Sequence, residues 1–254
     1  MPHLPILFIN LEKDTERRLR MEKQLQQLHL SAQRLPAVWW KELSIEKQTL
    51  HHKSELTHQQ YFKPMGNGER GCYCSHLAAW EALLKSDASS MVVFEDDVQL
   101  LPALPQVLEA IQKIPAHNWD LIKLHGRGQE KIASRRPSGV QDHEWITYRR
   151  VPSFCTGYVI SRAGAEKMLQ SRVPFGRPVD VDLRFWFENG MRIFGIHPSV
   201  IALDDTSSAS SIWEHEEPSL TLSQRLRKLK MKAQLTWGNA YAKPPHVKDL
   251  DDAA

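Results

Sequence analysis

A chain of 254 residues is long enough to bury one large α/β core or two smaller ones. Its 41% hydrophobic and 25% charged residues are ordinary globular values and exclude a chain that is disordered or fibrous as a whole. A net charge of +3 is too small to imply a nucleic-acid partner, and three cysteines without framework spacing exclude a disulfide scaffold.

In chain order, the apolar run of residues 6–9 reads as a buried strand ending at Asn10. Asp14 and Thr15 can cap an amphipathic helix over 14–29, and 35–38 reads as a second short strand, so the opening is β-α-β in character. Residues 41–63 are polar and rich in histidine. A helix fits 44–53 with a loop after it, and the adjacent His51 and His52 read as a solvated face. Asn67-Gly68 signals a turn, and a helical pattern runs from 71 to 84. Residues 91–94 read as a central strand, 102–114 as a helix and 120–124 as a strand; 126–145 reads as a loop. A strand at 158–160, a helix at 163–171 and strands at 192–196 and 199–203 follow. Strands alternating with helices predict an α/β fold with a mostly parallel sheet, whose ligands sit at the carboxyl ends of the strands.

Cys72, Cys74 and Cys155 read as free thiols of a reducing compartment. No stretch reaches the roughly 20 apolar residues that span a bilayer, and the N-terminus lacks a leader pattern. The expected location is the cytoplasm.

Three segments carry chemistry. Glu95-Asp96-Asp97 follows the strand at 91–94 directly. Acids crowded at a buried strand end repel one another and lose hydration, and a divalent cation relieves both penalties. Oxygen ligands suit Mg²⁺ or Mn²⁺, with Glu95 and Asp97 on one side of the alternating strand; the other reading is an exposed acidic turn. In Pro178-Val179-Asp180-Val181-Asp182, one carboxylate can act as a general base, or one can cap a helix over 182–189. The glycines at 66, 68 and 71, leading towards Ser75 and His76, let backbone N–H groups approach a phosphate. Their spacing is neither a P-loop nor a dinucleotide fingerprint, and His76 reads equally well as a core histidine.

Taken together, Ile9-Asn10-Leu11 with Arg17-Arg18, Gly68-Glu69-x-Gly71 with Ser75-His76 and Trp80, Glu95-Asp96-Asp97-Val98, and Gly157-Tyr158-x-Ile160-Ser161 with Gly164-Ala165 resemble glycosyltransferase family 25 over residues 5–212. That family comprises bacterial lipooligosaccharide sugar transferases, with collagen galactosyltransferases as animal relatives. Gly71-Cys72-Tyr73-Cys74 departs slightly from its pattern. The resemblance implies a nucleotide-binding GT-A-like fold, a UDP-sugar donor (most often UDP-galactose), Mn²⁺ or Mg²⁺, inversion at the anomeric carbon, and a lipooligosaccharide or lipopolysaccharide acceptor. It makes Glu95 and Asp97 the expected metal ligands and Asp180 or Asp182 the base, Asp180 matching the family's Pro-x-Asp more closely. The expected donor contacts are Asn10 to uracil or ribose, Arg17 to a phosphate, Ser75, His76 and Asp96 in the donor pocket, and Lys123 to the diphosphate or sugar. For Arg17 and Lys123 an exposed surface charge is the other reading.

The expected division is a transferase domain over 1–212, a basic helical segment over 213–242 and a disordered tail over 243–254. Asp204 to Ser208 reads as a surface loop or a lid. Residues 220–237 place Leu222, Leu226, Leu229, Ala233 and Trp237 at helical spacing among Arg225, Arg227, Lys228, Lys230 and Lys232. Such a helix either lies on an anionic membrane or packs on the domain with a solvated basic face. The competing functions are a non-catalytic nucleotide-sugar or carbohydrate-binding module of the same fold, and a metal-dependent phosphotransferase or nuclease.

Overall fold

A computed structural model of the chain describes residues 4–126, 128–204 and 220–251. Its strands are β1 Ile6–Asn10, β2 Gln33–Pro36, β3 Ser90–Glu95, β4 Val98–Leu100, β5 Leu121–Lys123, β6 Ile132–Pro137, β7 Glu144–Tyr148, β8 Gly157–Ser161, β9 Ile193–His197 and β10 Ile201–Leu203. Its α-helices are α1 Thr15–Gln27, α2 Ile45–His51, α3 Ser54–Gln60, α4 Asn67–Lys85, α5 Leu104–Gln112, α6 Arg162–Arg172, α7 Val179–Asp182 and α8 Leu222–Tyr241.

Eight strands form one sheet in the order β2-β1-β3-β8-β5-β9-β7-β6, and β4 pairs with β10 beside it. Pairing is parallel for β1–β2, β1–β3 and β5–β9 and antiparallel for the other four neighbours. Six of the eight strands therefore share one direction, and only β7 and β8 run against it. The fold is mixed α/β with a mostly parallel sheet, as its alternating elements predict.

The pleat sorts the core into two layers. Leu7, Ile9, Met91, Val93, Leu121, Tyr158 and Ile160 face one side, where α4 and α6 cover them. Ile6, Phe8, Val92, Phe94, Ile122 and Val159 face the other, against Met21 and Leu25 of α1 and Leu104, Val107, Leu108 and Ile111 of α5. Helix α4 lies close to the Val38–Trp40 segment that follows β2 because residue 71 is glycine: a Cβ there would stand 2.6 Å from the Val38 carbonyl oxygen.

Several local expectations give way to tertiary contacts. Residues 126–145 are not one loop: β6 and β7 form an antiparallel edge hairpin. The alternation in β6 is hidden because adjacent Arg135 and Arg136 occupy both its exposed and its half-buried faces, and Trp145, Ile146 and Tyr148 in β7 carry the apolar signal. Asn67 starts α4 rather than a separate turn, with the Glu69 carboxylate accepting the Gly66 N–H at 2.7 Å. A second helix, α3, stands where a loop was expected. His52 is not solvated. It is buried against Trp40 and Phe175, and its Nε2 meets the Thr57 hydroxyl at 2.8 Å. Burial, reinforced by the Arg70 charge, holds its imidazole down at about 4.

The expected tail is ordered through Asp251. A 3₁₀ turn at Val247–Leu250 buries both Val247 and Leu250 in the α1/α5 layer, and Asn118 donates to the Leu250 carbonyl at 3.1 Å. Two apolar side chains three residues apart give this segment its own anchor. In the predicted Asp204–Ser208 loop, residues 205–208 lie outside the described residues, as do 205–219 altogether; Asp204 is described and pairs with Arg20 at 2.8 Å.

Helix α8 meets the predicted position but not by the predicted face. Met231 and Leu235 are buried, Trp186 donates to Asn239 at 3.0 Å, and Gly238 admits the Phe187 ring where any Cβ would collide. Arg227 and Lys228 turn inward to His58 and the Phe62 ring. At about 100° per residue, Leu222, Leu226, Leu229 and Ala233 share the opposite face. The three leucines are 75%, 59% and 62% exposed, so this stripe is not what packs on the domain.

Candidate active site

The carboxyl ends of β1, β3 and β5 and the start of β8 meet along one edge of the sheet. That edge carries Asn10, Glu95, Lys123 and Cys155. Glu95 and Lys123 follow Val93 and Leu121 onto the α4 side by strand alternation. There Glu95 Oε1 lies 3.1 Å from His76 Nε2 and 3.7 Å from Cys72 Sγ, both carried by α4 one turn apart. His76 is fully buried; its Nδ1 lies 2.8 Å from the Tyr158 hydroxyl, which also accepts from Trp80 at 2.9 Å. The two readings of His76, core and site, therefore coincide.

Lys123 is buried and donates to the Phe154 carbonyl. Its ammonium is held below the usual lysine range by burial, partly offset by Cys155, Asp180 and Glu95. It is not a rim charge. Asp180, on α7, is pushed up by burial; the Val181 and Phe154 backbone and Lys123 oppose the shift, while Glu95 adds to it. Asp180, Lys123 and Glu95 thus influence one another from three separate elements. Phe154, which touches both partners through its backbone, has φ +79, an uncommon conformation for a bulky residue and one that functional sites concentrate.

The acidic motif divides its work. Asp96 turns to the α1 side, where it accepts from Asn10 Nδ2 at 2.7 Å and pairs with Arg17 at 3.4 Å. Asn10 also donates to the Asp14 carbonyl at 3.0 Å and accepts from Arg34 at 2.9 Å. Both amide hydrogens of Asn10 are thus engaged within the protein, so it braces the motif rather than offering a donor to a base. Ser75 is likewise internal: its hydroxyl donates to the Gly71 carbonyl and accepts the Val38 N–H, each at 2.8 Å. Asp97 lies beyond the end of β3, in the turn to β4. Its Oδ1 is buried without a hydrogen-bond partner. Burial, then Glu95 and Asp96, pushes the carboxyl up to about 7. An orphaned buried carboxylate oxygen beside two further acids fits the donor set of a divalent cation.

Asp182 stands apart from this group. Tyr73 donates to it at 2.6 Å, Arg177 Nε at 3.0 Å, and Arg172 lies 3.6 Å away. Arg177 and Arg172 also bind Glu188, and Arg177 stacks on Phe185. Neither Asp180 nor Asp182 caps a helix through its side chain; Pro178 occupies the cap of α7. Sequence reasoning missed Cys72, Cys155, Tyr158 and Phe154. Only the i, i+4 spacing of Cys72 and His76 pointed to one helical face.

An open cleft of about 850 Å³ between α5 and the β6–β7 hairpin shares no residue with this edge.

The family profile described as "Glycosyltransferase family 25 (LPS biosynthesis protein)" matches residues 3–183. A "Glycosyltransferase 25 family member" of Anopheles gambiae is 31% identical over 196 residues, covering 72% of this chain and 32% of the relative. A Mus musculus relative named "Inactive glycosyltransferase 25 family member 3" is 29% identical over 185 residues, 70% of this chain and 30% of its own. The chain spans about a third of the length of these relatives. Among solved structures, a mutant Drosophila β-1,4-galactosyltransferase 7 complexed with manganese, UDP-Gal and xylobiose aligns with a TM-score of 0.40 at 9% identity, over 98% of this chain and 84% of that one.

Proposed function

The chain belongs to glycosyltransferase family 25, and from that membership we propose that it is an inverting, metal-dependent transferase of GT-A type. It moves a hexose, galactose foremost, from a UDP-sugar to a saccharide acceptor of a bacterial lipooligosaccharide or lipopolysaccharide. The observation that carries this reading is the mutual electrostatic influence of Asp180, Lys123 and Glu95, with Asp97, whose Oδ1 is buried without a hydrogen-bond partner, following Glu95 by two residues at the end of β3.

Asp180 takes the proton of the acceptor hydroxyl as that oxygen forms its bond to the anomeric carbon and the bond to the diphosphate breaks. Burial raises its affinity for that proton, bringing it nearer the working pH of a general base. Lys123, fixed by the Phe154 carbonyl, presents a positive charge towards the departing diphosphate. Glu95 and Asp97 would hold a divalent cation, which when bound would further neutralise that charge. Asn10 and Arg17 hold Asp96, and with it the motif, in place.

The decisive assay is UDP release from UDP-galactose, UDP-glucose and UDP-N-acetylhexosamines with short lactose-like acceptors, with and without Mn²⁺. Asp97→Asn should lower metal-dependent release by about 100-fold or more while leaving the fold intact. Release that is equal in the variant, or indifferent to metal, removes the cation from the mechanism. The name of the mouse relative favours a second reading, a binding module without turnover. It prevails if no donor yields UDP although nucleotide-sugar still binds.

The exposed Leu222, Leu226 and Leu229 stripe, flanked by exposed Arg225, Lys230 and Lys232, suits the cytoplasmic face of an anionic membrane, where a lipid-anchored acceptor would lie. The chain should co-sediment with phosphatidylglycerol vesicles and not with phosphatidylcholine alone. The double variant Leu226→Glu, Leu229→Glu should weaken that binding by at least about tenfold. Unchanged co-sedimentation would remove the helix from membrane contact.

A further inference from the structure

We propose that Cys72, His76 and Glu95 form a second, softer metal site, one that takes zinc in competition with the oxygen-bound cation for the shared Glu95. Among the described residues these three offer ligand atoms that all lie within 4.8 Å of one another. Tetrahedral zinc, with a Zn–S bond of about 2.3 Å and Zn–N and Zn–O bonds of about 2.0–2.1 Å, needs ligand separations of about 3.3–3.6 Å. The observed separations are 3.1 Å for His76 Nε2 to Glu95 Oε1 and 3.7 Å for Cys72 Sγ to the same oxygen. A shift of a few tenths of an ångström brings these two into range, and the ligand atoms of Cys72 and His76 lie within 4.8 Å of each other.

The ligand types argue the same way. Thiolate and imidazole select zinc or cobalt over magnesium and manganese, which the Glu95–Asp97 carboxylates suit. Three protein ligands leave a fourth position open. The surrounding shell is already built. Tyr158 holds the far nitrogen of His76 at 2.8 Å and is itself held by Trp80. Without metal, Nε2–H donates to Glu95 and Nδ1 accepts from the tyrosine. With metal, the ring proton sits on Nδ1 and is donated as a hydrogen bond to the Tyr158 oxygen, which has lone pairs for both His76 and Trp80, while the tyrosine's own O–H rotates away from the ring. Nε2 is then free to bind. The Cys72 thiol gives its proton to solvent as the metal–sulfur bond forms.

The test of binding needs no turnover. The metal-free, reduced full chain is titrated anaerobically with Co²⁺. A thiolate-to-cobalt charge-transfer band should grow to one equivalent and be bleached by Zn²⁺. Cys72→Ser should lose the band and weaken zinc binding by at least about 10–100-fold, whereas Cys74→Ser and Cys155→Ser should retain both. Circular dichroism and thermal melting of each variant show that it is folded. No band in the wild type, or a band that survives Cys72→Ser, overturns the site.

The competition rests on the transferase reading and is measured separately. Zn²⁺ should inhibit Mn²⁺-dependent UDP release by the wild type and lose that potency in Cys72→Ser. Equal inhibition of both overturns the competition. A chain that binds cobalt through Cys72 but releases no UDP keeps the site and loses the transferase reading instead.

Discussion

Asp180→Asn is expected to lower sugar transfer by about 10²–10⁴-fold, the range for loss of a positioned general base. Asparagine keeps the shape and can still meet the Phe154 and Val181 backbone, so the fold and donor binding should persist. Calorimetric titration with the UDP-sugar should therefore give a similar affinity while UDP release in the presence of acceptor collapses. The pH profile supplies an independent check. The Asp180 carboxyl is raised by burial, so in the wild type kcat/KM should fall as pH drops through its pKa and the base becomes protonated. The variant should lose that acidic limb. A profile that keeps the limb in Asp180→Asn assigns the proton acceptor elsewhere.

Asp182→Ala should act on stability instead, by about 3–5 kcal/mol, because it leaves buried charge without its counterion. Arg177 is 2% exposed and Arg172 8%, so water cannot replace the lost carboxylate, and Tyr73 loses its acceptor at the same time. Glu188 remains to pair both arginines, which holds the loss to the cost of one partner. For a chain of this size that corresponds to a fall in melting temperature of about 6–20 °C. Urea denaturation with an unchanged m-value would report it directly. A variant that melts with the wild type but fails to turn over would exchange the roles of the two aspartates.

These two predictions separate residues that the sequence sets only two positions apart. On a helix, two positions are about 200° of rotation, so side chains at i and i+2 face away from each other. Asp180 feels the charges of Lys123 and Glu95, whereas Asp182 is bonded to Arg177 and Tyr73 with Arg172 beside it. The motif announces carboxylates; which one meets the reacting edge depends on a helix only four residues long.

The same division runs through the rest of the chain. Local pattern was enough for β1, β3, β5, β8 and β9 and for the amphipathic or apolar helices α1, α4, α5 and α6, because each carries its own periodicity of burial. It was also enough to put Glu95 at the end of a buried strand. It failed where a neighbour supplies the burial. His52 is polar in sequence and sits under Trp40 and Phe175. Arg135 and Arg136 mask an edge strand whose pairing comes from β7. Asn10 looks like a ligand contact and is consumed by Asp96, Asp14 and Arg34.

By itself, then, the sequence determined the alternation of strands and helices, the family, and the stock of acids, thiols and imidazole available for chemistry. The tertiary structure decided which of them meet. It brought Cys72 and His76 of α4 over Glu95, gathered Lys123 and Asp180 from elements 57 positions apart along the chain, and left the leucine stripe of α8 facing outward. Periodicity is a property of neighbours along the chain. Proximity across a sheet edge depends on strand order and register, which no single segment encodes.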